Sequence, residues 1–167
     1  GETLDNLTDT PIDVYYDYEL TLNGCSNEGT VKVTVNPKPK LKSSLTPPDV
    51  CSGANFEYTP DFNILGSSFS WSRATQTDIS QNSNEGSARI SETLTNTSNA
   101  SVGVDYVFNL ISPLGCSSKE TVRVNVTPLP STPVSIDGTK TVCIGSKESY
   151  KVQFPSTSNA ISYRWTL

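Results

Sequence analysis

The chain has 167 residues, 17 acidic against 12 basic, a formal net charge of −5, and no His or Met. The acidic balance argues against a nucleic-acid binder, which needs a basic footprint, and the lack of His removes the commonest general base and metal ligand. No apolar run approaches the roughly 18 residues a membrane span needs, and the lack of Met makes the sequence read as an internal or processed piece.

From the start, "ETLDNLTDTPIDVYY" (Glu2 to Tyr16) leads through a Gly-Cys turn into "NGCSNEGTVKVTVNP" (Asn23 to Pro37). Alternation of apolar and polar residues marks strands, and residues 1–37 are predicted to supply strands E, F and G of a sandwich. "NPKPKLK" follows. Proline cannot donate to a ladder and stiffens a linker, so this stretch is a short joint.

Residues 41–128 form the next predicted unit. Leu41 to Leu45 is strand A. Asn55 to Thr59 is strand B, with Phe56 and Tyr58 on one face. Strand C carries Phe69 and Trp71, a short D surrounds Ile79, and E runs from Ser87 to Thr95. Strand F runs from Val102 to Ile111 and G from Thr121 to Thr127. The buried stripe is expected to be Phe56, Tyr58, Phe69, Trp71, Tyr106, Phe108, Val122 and Val124. Seven short strands with turn signals between them read as a Greek-key β-sandwich, and a Trp on strand C suits such a core because one indole buries a large area. A second joint, "TPLPSTP", leads to residues 134–167, the predicted strands A, B and C of a further unit.

The units are copies. Cys25 and Cys116 are offset by 116 − 25 = 91 positions, and Val31, Val33 and Val35 match Val122, Val124 and Val126. Upstream, Glu2 to Tyr16 matches Glu92 to Tyr106 at an offset of 90, which puts one inserted residue near Pro113. Downstream, "VCSGANFEYTP" matches "VCIGSKESYKVQFP", and Trp71 matches Trp165. The fold class is therefore all-β: tandem antiparallel β-sandwich repeats of about 91 residues, one complete and two partial. The partial units at the ends cannot close a sandwich. Each leaves open edges and an exposed apolar face, to be completed by a longer chain or by partner chains. The predicted core anchors are Trp71, Trp165, Tyr106, Phe108 and Tyr58.

"VCSGANFEYTP", "FSWSR", "SETLTN" and the "GCS" hairpin before an alternating valine strand together resemble the PKD-like and Ig-like repeats of Bacteroidetes surface proteins. They are most similar to the repeats of flavobacterial gliding adhesins, and the resemblance covers essentially the whole chain. It implies a non-catalytic structural and adhesive repeat of a long cell-surface filament. It also implies export by the type IX secretion system and attachment at the outer membrane, with that system or the gliding machinery, neighbouring repeats and surface polysaccharide as partners. The alternative is a spacer in a secreted multidomain enzyme or glycan-binding protein.

Four cysteines, Cys25, Cys51, Cys116 and Cys143, in an apparently extracellular chain suggest structural disulfides. Repeat logic pairs Cys51 with Cys116, both within one unit. Sandwich topology puts the A–B and F–G turns at opposite ends, which favours bridges across the joints instead. Both readings stand at this stage. With no CxxC and no His, no metal site is expected. No catalytic site is expected either: a Ser nucleophile would lack its base, and Asp13, Asp17, Asp61, Asp78 and Asp105 are too scattered for a calcium loop. No cofactor is expected. Tyr15 points away from Tyr16 and Tyr18 and is a candidate for stacking on a sugar. "NLT", "NTS", "NAS" and "NVT" fit a glycosylation sequon and read as chance in a Thr/Ser/Asn-rich chain.

Overall fold

A computed structural model describes residues 1–156, 160, 162–164 and 166. Among them there is no helix. Eleven strands form: β1 Ile12–Leu22, β2 Cys25–Val35, β3 Val50–Cys51, β4 Asn55–Tyr58, β5 Ser68–Arg73, β6 Asn84–Gly86, β7 Ile90–Thr93, β8 Val102–Ile111, β9 Ser117–Thr127, β10 Ser135–Asp137 and β11 Lys151–Gln153.

The central unit is the sandwich. A five-stranded sheet runs β3-β9-β8-β5-β6, and β4-β7 form the smaller facing sheet. Alternation along β8 turns Val104, Tyr106, Phe108 and Leu110 inward, and all four are fully buried. Their register partners on β9 include Val122 and Val124, also at 0% exposure. From the facing sheet come Phe56 and Tyr58 of β4 and Ile90 of β7. Ring contacts tie the two layers: Phe56 to Tyr106 at 5.5 Å and Tyr58 to Phe108 at 5.7 Å between centroids. Of the predicted stripe, only Phe69 is left half-buried.

Two predicted strands need correction. Leu41 to Leu45 is not a strand. Leu41 makes an isolated bridge to Phe62, and Leu45 offers its carbonyl to Arg123 N–H at 2.8 Å. Pro47 and Pro48 then interrupt the segment, because proline supplies no ladder donor, and strand A resumes as β3, parallel to β9. Around Ile79 there is only a bridge to Asn96. The short strand in that region is β6, which extends the larger sheet beside β5.

The N-terminal part forms a β1–β2 hairpin, the counterpart of β8–β9 in register: Val14 faces Val33 and Tyr16 faces Val31 as Val104 faces Val124 and Tyr106 faces Val122. Residues 1–11 form no strand, so the E strand predicted there is absent. In the central unit its equivalent, β7, pairs with β4, and residues 1–37 contain no β4 counterpart. The turns explain the change of offset. Asn23 and Gly24, with φ of 51° and 82°, make a two-residue hairpin loop. Between β8 and β9 the loop is one residue longer, Pro113 to Gly115, with Gly115 at φ 81° and Ser112 N–H donating to Cys116 O. At the C-terminal end β10 pairs with β11. The predicted C strand there includes Trp165, which lies outside the described residues.

Candidate functional site

The chain's distinctive polar architecture sits in the sandwich core, at its two poles and along its first joint. In the core, Arg73 continues the inward stripe of Phe69 and Trp71 on β5 and is 2% exposed. Its guanidinium grips Glu92 of β7 in a bidentate pair, Nε to Oε2 at 3.0 Å and Nη2 to Oε1 at 2.5 Å. Tyr106 donates its hydroxyl to Glu92 Oε2 at 2.6 Å. Arg73 Nη2 also reaches Asn82 O at 2.5 Å and Nη1 reaches Ala74 O at 3.2 Å. A bidentate fork of this kind fixes geometry as well as charge. Burial raises the Glu92 carboxyl, but the hydrogen bonds from Arg73 and Tyr106 outweigh it and hold the group below its ordinary range. Burial and the bond to Glu92 push the Tyr106 hydroxyl far up, so it stays a donor. Burial opposes the Arg73 charge, and Glu92 more than restores it.

Sequence reasoning missed this network, although the signal was present. Arg73 falls on the same face as Phe69 and Trp71 by period 2, and Glu92 lies midway between Ile90 and Leu94. Opposite charges on two inward stripes announce a buried pair. Part of it recurs in the first unit, where Tyr16 donates to Glu2 Oε2 at 2.9 Å. Glu2 and Tyr16 are the counterparts of Glu92 and Tyr106.

Asn96 anchors the loop between β7 and β8. Its Nδ2 donates to Ala100 O and Val126 O, both at 2.7 Å, while its Oδ1 accepts Ser98 N–H at 2.8 Å. Asn6 makes the equivalent set in the first unit, to Thr10 O at 2.8 Å, Val35 O at 2.7 Å and from Thr8 N–H at 2.9 Å. The sequon-like "NLT" and "NTS" thus have a structural reason: an asparagine side chain imitates a backbone turn and caps the loop.

The first joint is docked. Pro37 and Pro39 are buried. Ser118 at the start of β9 donates to Pro39 O, and Leu41 N–H donates to Glu120 Oε2 at 2.7 Å. Asn63 accepts Lys40 N–H at 2.6 Å and returns its own N–H to Lys40 O at 3.1 Å. Its Nδ2 also reaches Asp9 Oδ1, in the first unit, at 2.7 Å. Lys42 N–H adds a bond to Asp61 O at 2.8 Å.

The cysteines are not brought together. Cys25, Cys51 and Cys143 are exposed, Cys116 is half-buried, and none is bridged. Cys51 pairs in register with Thr127 at the end of β9, whereas Cys116 immediately precedes β9. The length of that strand, 11 residues, separates them by roughly 30 Å, so a bridge within the unit is excluded by the limit of about 7 Å between Cα atoms. Trp71, Tyr106, Phe108 and Tyr58 all lie in one buried cluster. Tyr15 is 61% exposed on the polar face of the hairpin, opposite Lys32. The counterparts of that pair, Asp105 and Arg123, form a surface ion pair at 3.2 Å. Among the described residues, no group of three or more His, Cys, Asp or Glu side chains is placed to hold a metal ion.

Residues 48–130 match the family model of the PKD-like domain. PKD-like domains are generally non-catalytic Ig-like modules, typically extracellular. A search of curated proteins gives no match to the chain. No helix among the described residues is long and apolar enough to cross a membrane.

Proposed function

We propose that this chain, built around a PKD-like domain, is a stretch of a long cell-surface filament, non-catalytic and made of sandwich units in series. Its finer role is that of a gliding adhesin, exported by the type IX secretion system and held at the outer membrane. The docked joint carries the reading. Ordinary flexible linkers leave neighbouring domains free to reorient. Here Pro39, Lys40, Leu41 and Lys42 are held to the central sandwich by backbone bonds and by Asn63, Ser118 and Glu120. A string of units with pinned joints gives reach and transmits force along its length. Weak contacts to surface polysaccharide, repeated along the array, gain by multivalency. The buried Arg73–Glu92 pair fits the same role, since a fully satisfied ionic network specifies one packing of the core. The resemblance of the sequence to gliding-adhesin repeats supplies the motility part.

The test is made on living cells that display the chain. A fluorescent antibody fragment against residues 41–128 is expected to give spots that travel in a directed way along the cell surface. Spots that stay fixed or only diffuse remove the gliding role and leave a passive stalk or the spacer of a secreted enzyme.

A further inference from the structure

The cysteines recur with the units and alternate between their poles. In the central unit Cys51 marks the exit pole: it is in register with Thr127, and Ser52 N–H donates to Thr127 O at 2.8 Å. Cys116 marks the entry pole, in the β8–β9 turn, two residues before the Ser118 that receives the joint. The other two cysteines repeat the arrangement. Cys25 ends the β1–β2 turn as Cys116 ends the β8–β9 turn, and Cys143 stands in "VCIG" where Cys51 stands in "VCSG".

The joint decides what these poles meet. The first-unit counterpart of Thr127 is Asn36, so a first-unit counterpart of Cys51 belongs beside Asn36. Three residues on, the carbonyl of Pro39 accepts from Ser118, a span of roughly 10 Å along the chain. The docked joint therefore carries the exit pole of one unit to the entry turn of the next, which holds Cys116.

We propose that consecutive units of this repeat are joined by a disulfide between the exit-pole cysteine of one unit and the entry-pole cysteine of the unit that follows. For the central unit this means that Cys51 bonds to the next unit's counterpart of Cys116. The proposal rests on the chain being a stretch of an array. In the step, an Sγ–Sγ bond forms and two thiols give up two protons and two electrons. A disulfide co-reactant, small-molecule or protein, accepts them, and its own S–S bond is reduced to two thiols. The exposure of Cys51 leaves its thiol open to such exchange.

The experiment uses the full chain extended at its C-terminus by a second copy of residues 74–128, which completes the third unit and supplies a second copy of Cys116; the copy carries Ser117→Thr at an exposed position, so that its cysteine peptide differs in mass from the resident one. After exchange with glutathione disulfide, digestion without reductant and mass spectrometry are expected to find one peptide joining Cys51 to that copy. Cys51→Ser should abolish it and leave the copy's thiol open to alkylation. A Cys51–Cys116 peptide from within the unit, or a Cys51 that still alkylates fully in the folded protein, overturns the proposal. If near-UV circular dichroism shows the third unit unfolded, a chain with a second copy of residues 41–128, carrying Cys51→Ser and Ser117→Thr, in place of residues 134–167 is digested in the same way, and the same two results overturn it there. Neither result touches the tracking experiment, so the array and its cross-links fail separately.

Discussion

Replacing Arg73 with alanine lowers the unfolding free energy by about 3–5 kcal/mol, the cost of leaving one partner of a buried pair uncompensated. Glu92 would keep only the Tyr106 hydroxyl as a strong partner, and the carbonyls of Ala74 and Asn82 would lose their donor. Urea unfolding of the full chain, followed by near-UV circular dichroism, measures the loss; a loss below about 1 kcal/mol would mean that the pair is solvated like a surface bridge. A second variant separates charge from packing. Arg73→Met, Glu92→Leu and Tyr106→Phe together remove every charge and donor at once, and buried pairs replaced by apolar groups of similar volume are often close to neutral. The triple variant should therefore regain most of what the single one loses. The sign of the pH dependence follows from Glu92. Its folded-state pKa is depressed below the ordinary 4.5, so its contribution is present above that value and disappears as pH falls through the folded one. Glu92→Gln should flatten the stability profile across that acidic window.

Trp71→Ala is expected to cost a similar amount, about 3–5 kcal/mol, as a large buried aromatic cut to a methyl. The indole is 6% exposed, meets Tyr106 edge-on at 5.7 Å and donates Nε1–H to Ala88 O at 2.8 Å. Its far edge fills the space above Gly86, where an added Cβ would come within 2.9 Å of Cζ2. Removal opens a cavity beside the ion pair and orphans a carbonyl. Chemical denaturation should show a lower midpoint with an unchanged slope. A loss under about 1.5 kcal/mol would show that the two sheets collapse into the gap.

Much of this architecture was legible in the sequence wherever one strand face is fully buried. Strand F was predicted as Val102 to Ile111 and β8 has those bounds, because alternation over ten residues leaves a single register. The edges were less legible. Leu41 to Leu45 reads as a strand from its apolar ends, but it makes only an isolated bridge to Phe62 and single bonds to β9, and Pro47 and Pro48 interrupt it before β3 forms its ladder. The D region failed for a related reason: Ile79 is buried, yet one apolar residue in a loop carries no period. Arg73 and Glu92 are missing from the expected stripe because it is drawn from apolar and aromatic residues alone. The sequon-like asparagines escaped because their partners, Val126 O and Val35 O, are backbone atoms far along the chain.

The parallel contact between β3 and β9 has a mechanical meaning. The chain enters the central unit at Leu41, beside the start of β9, and leaves it from the end of β9 at Thr127. Tension on both joints draws the entering segment and β9 in opposite directions along a shared axis, in shear. Their bonds, Leu41 N–H to Glu120, Arg123 N–H to Leu45 O, Ser52 N–H to Thr127 O and Thr127 Oγ1–H to Val50 O, then bear the load together instead of opening one after another like a zipper. A domain clamped in this way resists until the whole seam slips and yields in one rupture, and the rate of that rupture, not the equilibrium stability, sets how long a filament of such units holds under strain.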